Sequence, residues 1–166
     1  QVDVIANNAT TVNVDLADAQ TFEANSGSYT PQSPWAWGVP TGVGPSGAFS
    51  GAKLWATNLT GNYGDNQSAY LTSPVFNFGG AAHLYLSFTH WYSLEAGFDG
   101  GNIQVKSGLS WLTAAPVGGY PEAHLDGLGG EAGFTGDTNG WRTEVFDLSA
   151  FATNQTQVRF HFGSDG

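Results

Sequence analysis

The chain has 166 residues, 40% hydrophobic and 14% aromatic, enough to bury roughly 70% of its unfolded surface in one core and too apolar for disorder. Four basic residues stand against fourteen acidic ones, a net charge of −10. That balance provides no cationic face for nucleic acid or anionic lipid, whereas it suits Ca²⁺, which takes carboxylate and carbonyl oxygens.

Cysteine is absent, which removes disulfides, thiolate zinc sites and a Cys nucleophile together. No apolar run approaches the roughly 20 residues of a membrane-spanning helix. The chain starts at Gln1 rather than Met, as a processed exported protein or a fragment would. The expected setting is extracellular or at the cell surface.

From the N-terminus, Val2, Val4, Val12, Val14 and Leu16 alternate with polar residues over positions 1–18. Period two marks strands with one buried face, so this segment is expected to be a strand-like arm. After it come Phe22-Glu23, the Pro-marked Trp35-Ala36-Trp37, and strand candidates Ala52–Ala56, Ala69–Val75, His83–Tyr92, Asn102–Lys106, Gly140–Leu148 and Thr156–Gly163. In His83–Tyr92, Leu84, Leu86, Phe88 and His90 share a face. In Thr156–Gly163, Val158, Phe160 and Phe162 point inward, and Arg159 and His161 outward. The core is expected from Leu84, Leu86, Phe88, Ile103, Val105, Val145, Val158, Phe160 and Phe162. Pro116–Asn139 is Gly-rich and reads as a surface excursion. Short strands separated by Gly and Pro turns, with no segment keeping a 3.6 period, predict an all-β fold: a two-sheet antiparallel jelly-roll sandwich.

The order of four motifs narrows this. Ser46–Tyr63 (SGAFSGAKLWATNLTGNY), Tyr70–Phe76 (YLTSPVF), His90–Val105 (HWYSLEAGFDGGNIQV) and Arg159–Asp165 (RFHFGSD) together resemble the MAM-like domains found beside the peptidase domain of immune inhibitor A and in many secreted bacterial proteins. The resemblance covers about Phe22 to Asp165 and implies a non-catalytic jelly-roll module over 19–166. Members usually continue past the Ser-Asp pair with a strand resembling G-W-x-I-D-D, whereas this sequence stops at Gly166. A sandwich without that closing strand leaves unpaired backbone and an apolar slot. Two accounts stand side by side. Either the arm is the tail of a preceding domain in an excised module, or the arm of one copy fills the slot of the next.

Asp99-Gly100-Gly101 follows Glu95 closely in one turn, a half-site for Ca²⁺ that Glu23 and Asp165 would complete if the first and last sandwich strands are neighbours. The resemblance implies the same, with a structural ion. The alternative is that Asp99 supports the turn and Glu95 is solvated.

Trp35, Trp111, Tyr120 and Trp141 are candidates for stacking on sugar rings, which makes a carbohydrate-binding module of a secreted hydrolase the second functional reading. His83, His90, His124 and His161 form no HExxH, and Gly44-Pro45-Ser46-Gly47 lacks the GxSxG spacing. A hydrolase would need a carboxylate pair in a cleft, and nothing in the sequence points to one. Sequons at Asn8, Asn58, Asn66 and Asn154 mark loops at most. The expected partners are copies of the chain, another surface protein or a glycan, with no nucleic acid and no membrane insertion.

Overall fold

The computed structural model describes residues 19–166, and the arm residues Val2, Val4, Val12, Val14 and Leu16 lie outside them. The strands in chain order are β1 (Thr30–Pro31), β2 (Ala36–Gly38), β3 (Leu54–Ala56), β4 (Ser68–Thr72), β5 (Tyr85–His90) and β6 (Gly100–Ser107). They continue with β7 (Ser110–Ala114), β8 (Glu122–Leu125), β9 (Glu131–Gly133), β10 (Arg142–Asp147) and β11 (Val158–Gly163). Single 3₁₀ turns occupy Asp126–Leu128 and Ser149–Phe151. Among the described residues no helix is long and apolar enough to cross a membrane.

One layer is a five-stranded antiparallel sheet in the order β1-β4-β11-β6-β7. Its inner face carries Leu71 from β4, Val158, Phe160 and Phe162 from β11, and Ile103 and Val105 from β6. Facing it, the β5–β10 pair contributes Leu86, Phe88 and Phe146 to the same cluster. A second short pair, β2–β3, also lies over this inner face, where Trp35 packs edge-on against Phe160 at 6.5 Å. The molecule is thus the expected all-β antiparallel sandwich. Among the described residues its second layer is split, however, with no strand bonded between β3 and β5.

Register corrects one core position. Phe146, fully buried, sits across from Leu86, while Val145 sits across from the exposed Ser87. The aromatic side chain takes the inward phase of β10, and Val145 falls on the other face. Tyr120 is core as well: its hydroxyl donates to Ala114 O at 2.7 Å and accepts from Ile103 N–H at 2.9 Å.

The span 116–139 is packed rather than a free excursion. It holds the β8–β9 pair and buries Leu125, Leu128 and Phe134. Two glycines make that approach possible. A methyl group on Gly100 would overlap Leu125 Cδ1, and one on Gly163 would overlap Gly127 O. Covering the ends of β6 and β11 in this way also buries His161, which lies on the outer face of the sheet.

Candidate functional site

β6 and β11 run antiparallel with Gly100 across from Gly163. That register brings Asp99, just before β6, beside Asp165, just after β11. The turn leading into β6 adds Glu95, whose carbonyl accepts the Phe98 and Asp99 N–H groups at 3.3 and 3.1 Å. Carboxylate oxygens of Glu95, Asp99 and Asp165 lie within 4.8 Å of one another. Asp99 is buried, at 4% exposure; Glu95 is exposed and Asp165 half-buried.

Two contacts orient the central carboxylate. Asp99 Oδ1 accepts the Asp165 N–H at 3.0 Å, and Asp99 Oδ2 accepts the Tyr63 hydroxyl at 2.6 Å. Burial, and then that hydrogen bond, push the Tyr63 phenol up to about 12. The same hydroxyl accepts from Glu95 N–H at 3.3 Å, so one side chain touches both acids of the turn. Asn66 N–H closes the far side on Asp165 O at 2.7 Å.

The donor set is all hard oxygen, and the mutual separations fit atoms around a single ion at the 2.3–2.6 Å distances of Ca²⁺. Glu95, Asp99 and Asp165 are the residues that would hold it. An ion there would tie the β6 turn to the end of β11, a structural task.

Glu23 stands elsewhere. Its Oε1 accepts the N–H groups of Ala52 and Lys53, each at 2.8 Å, and Lys53 Nζ returns a bond to Glu23 O at 3.1 Å. Those backbone donors hold its carboxyl below the usual range. Glu23 clamps the loop before β3 and does not join the acidic cluster.

The four aromatic candidates are also dispersed. Trp35 donates its indole N–H to Ala69 O at 3.3 Å and packs inside the sandwich. Tyr120 is core, and Trp141 meets the ring of Phe49 edge-on at 5.9 Å. Trp111 alone of the four lies on the outer face of the five-stranded sheet, over the Arg159 guanidinium at 4.4 Å. They form no common stacking platform.

A gap opens on the inner face between β3 and β5. It is a cavity of about 470 Å³ lined by Leu54 and Trp55 of β3 and by Phe88 and His90 of β5, over Ile103 and Phe160. Sequence reasoning did not foresee Tyr63, Arg159 or His161 as parts of polar arrangements, and no spacing signal marks them.

No family model matches the chain. Over 133 residues, 79% of its length, the chain is 34% identical to bacillopeptidase F of Bacillus subtilis (strain 168). That match covers 8% of the length of bacillopeptidase F, so the chain is similar to a small segment of a much longer protein.

Proposed function

We propose that the chain is a non-catalytic extracellular module, stabilised by Ca²⁺ at Glu95, Asp99 and Asp165, that joins other copies by accepting a β-strand between β3 and β5. The observation that carries this is the open slot. The second edge of β5 and the second edge of β3 have no bonded strand among the described residues, and the space between them is apolar. A strand entering there would pair on both sides and bury alternate side chains against Ile103 and Phe160.

The segment best suited is the arm. The described chain begins at Ala19, three residues before Phe22, which lines the slot. Val12, Val14 and Leu16 have the period a strand in that slot needs, and each buried side chain would contribute roughly 1.5–3 kcal/mol. Donation into a neighbour's slot is a head-to-tail contact, so it propagates as a filament rather than closing a dimer. The likeness to a small segment of a peptidase supports an appended, exported role, since a stretch that short is a part of such a protein.

One arrangement resembles catalytic machinery. Ser68 Oγ lies 3.2 Å from His161 Nε2, and Glu131 Oε2 lies 3.9 Å from His161 Nδ1. The second distance is beyond hydrogen-bond reach, and that oxygen already accepts from Asn102 and Gln104 at 2.8 and 2.9 Å. Among the described residues the imidazole therefore lacks the third group that orients a base for its nucleophile. A fluorophosphonate probe should leave Ser68 unlabelled; stoichiometric labelling would end the non-catalytic reading.

The assembly test compares the full chain with a chain lacking 1–18, by light scattering and negative-stain microscopy. The full chain should polymerise, and the shortened chain should stay monomeric and bind a synthetic peptide of residues 9–18. A full chain that stays monomeric at high concentration, with the deletion merely lowering its melting temperature, would show the arm in its own slot and defeat the filament.

A further inference from the structure

We propose that the outer face of the five-stranded sheet binds a uronate-bearing glycan, with Arg159 receiving the sugar carboxylate. Four flat groups stand in a row across this face: Trp111 of β7, Arg159 of β11, Tyr70 of β4 and His161 of β11. The guanidinium carbon lies 4.4 Å from the centre of Trp111 and 3.7 Å from that of Tyr70. Because β11 lies between β4 and β7 in the sheet, the two rings flank the guanidinium from opposite sides. Tyr70 stacks in turn on His161, with centroids 4.5 Å apart and planes 21° from parallel.

Arg159 is held on a third side too. Its Nε donates to Gln104 Oε1 at 2.7 Å, and Gln104 is itself fixed by donating to Glu131 Oε2. What remains is the outer edge of the fork. Among the described residues its two terminal nitrogens make no hydrogen bond, and no carboxylate approaches within 4.0 Å. In a chain with fourteen acids and four bases, an arginine so braced and yet unpaired is a preorganised receptor for a planar oxyanion. The indoles of Trp35, Trp37 and Trp55 donate to backbone carbonyls, whereas among the described residues those of Trp91, Trp111 and Trp141 have no such acceptor, which leaves the Trp111 N–H free for a ligand on this face.

Charge and neighbours select the ligand. A net charge of −10 and the adjacent Glu131 disfavour phosphate dianions and dense polyanions, leaving a monoanionic carboxylate as the favoured partner. Past His161 the face opens into a cavity of about 420 Å³ lined by Asn66, Gln67, Ser68 and Asp126. Amide, hydroxyl and carboxylate groups suit the many hydroxyls of a sugar better than they suit an apolar side chain. One buried atom of that lining, His161 Nδ1, has no hydrogen-bond partner among the described residues. This proposal is independent of the strand slot, which lies on the opposite face of the sheet.

The test titrates the ¹⁵N-labelled chain with short, otherwise neutral oligomers that each carry a single galacturonate, glucuronate or mannuronate unit. Their carboxyl-reduced neutral counterparts, N-acetylglycine and inorganic phosphate serve as separate arms. At least one uronate oligomer should shift the Trp111 indole resonance, and Arg159→Gln should weaken its binding about tenfold or more. Arg159→Lys should fall nearer to Gln than to wild type, because it keeps the charge and loses the fork. Unchanged melting temperatures for both variants would confirm that the fold is intact. No response to any uronate, equal binding of the neutral sugars, or equal affinity in Arg159→Gln would overturn the site. N-acetylglycine binding as tightly as the best oligomer would overturn the glycan assignment and make the ligand a peptide carboxylate.

Discussion

Tyr63 donates its hydroxyl proton to Asp99 Oδ2 at 2.6 Å while its ring packs edge-on against Phe162 at 5.0 Å. One side chain thereby fastens the acidic cluster to the inner face of β11. Removing the hydroxyl leaves the ring packing in place and deprives a buried carboxylate of its donor. Tyr63→Phe should cost about 1–3 kcal/mol, read as the shift in denaturation midpoint. It should also alter the alkaline limb. The folded phenol titrates near 12, above its ordinary value of 10.0, so its contribution is complete below pH 10 and is lost as pH rises toward 12. An unchanged midpoint and an unchanged alkaline limb would remove Tyr63 from any supporting role.

The acidic cluster makes its own prediction. Three carboxylates share a volume fit for one ion, with Asp99 buried, so an ion that binds only the folded state should stabilise it by mass action. At a concentration one hundred times its Kd, Ca²⁺ would add about 2.7 kcal/mol. Chelator should therefore lower the melting temperature of the wild type and leave Asp99→Asn unaffected. A wild-type melting curve indifferent to both chelator and added Ca²⁺ would return Glu95, Asp99 and Asp165 to ordinary turn residues. Glu23→Gln provides a control. It should weaken the loop at Ala52-Lys53 and leave the Ca²⁺ response intact.

His90 sits among Phe88, Tyr92 and Phe134, and burial pushes its imidazole down to about 4. Its 3.8 Å approach to Glu144 is therefore no ion pair at neutral pH. The unfolded chain takes up this proton near 6.5, so the associated stability is present above that pH and is lost as pH falls toward 4. The loss amounts to about 3 kcal/mol at most. His90→Gln should flatten the stability profile between those two values. An acid limb of the same slope in wild type and variant would show that other groups carry it.

Much of the fold was legible because alternation survives in the sequence. Leu86 and Phe88, Ile103 and Val105, and Val158, Phe160 and Phe162 keep period two through their strands, and each set faces the core. The failure at Val145 has a physical cause: Val145-Phe146 places two apolar residues in succession, and only the register with β5 decides which one turns inward. Phe146→Ala should cost about 3–5 kcal/mol, as expected for a buried aromatic, and Val145→Ala less than about 1 kcal/mol. Equal losses in chemical denaturation would contradict that phase.

The sites were less legible, because they depend on which strands are neighbours. Asp99 and Asp165 meet through the Gly100–Gly163 pairing, a relation across the chain that spacing does not encode. Glu23 reads like a ligand until the fold shows its oxygen already taken by Ala52 and Lys53. Arg159 was recognised as outward-facing, yet its flanking rings come from β4 and β7, far apart in sequence. Pro116–Asn139 misled for a related reason: its glycines read as a surface excursion, whereas Gly127 and Gly133 permit close packing over the ends of β6 and β11.

The strand slot yields the last prediction. Leu54 lines the cavity from β3 and is half-buried, and it stands apart from the cluster of Ile103, Val105 and Phe146 that forms the main core. A charge introduced there would face the incoming strand and would have no partner once water was expelled, which costs several kcal/mol unless the strand stays out. Leu54→Arg should therefore keep the fold, judged by an unchanged far-ultraviolet spectrum, and lose binding of the 9–18 peptide. In the full chain it should also stop polymer growth. Because donation is head-to-tail, Leu54→Arg chains keep a competent arm while their own slot is closed. Added in small amounts to wild type, they should cap filament ends and shorten them. A variant that takes up the peptide as well as wild type, or polymerises at the same rate, would place the accepted strand somewhere other than between β3 and β5.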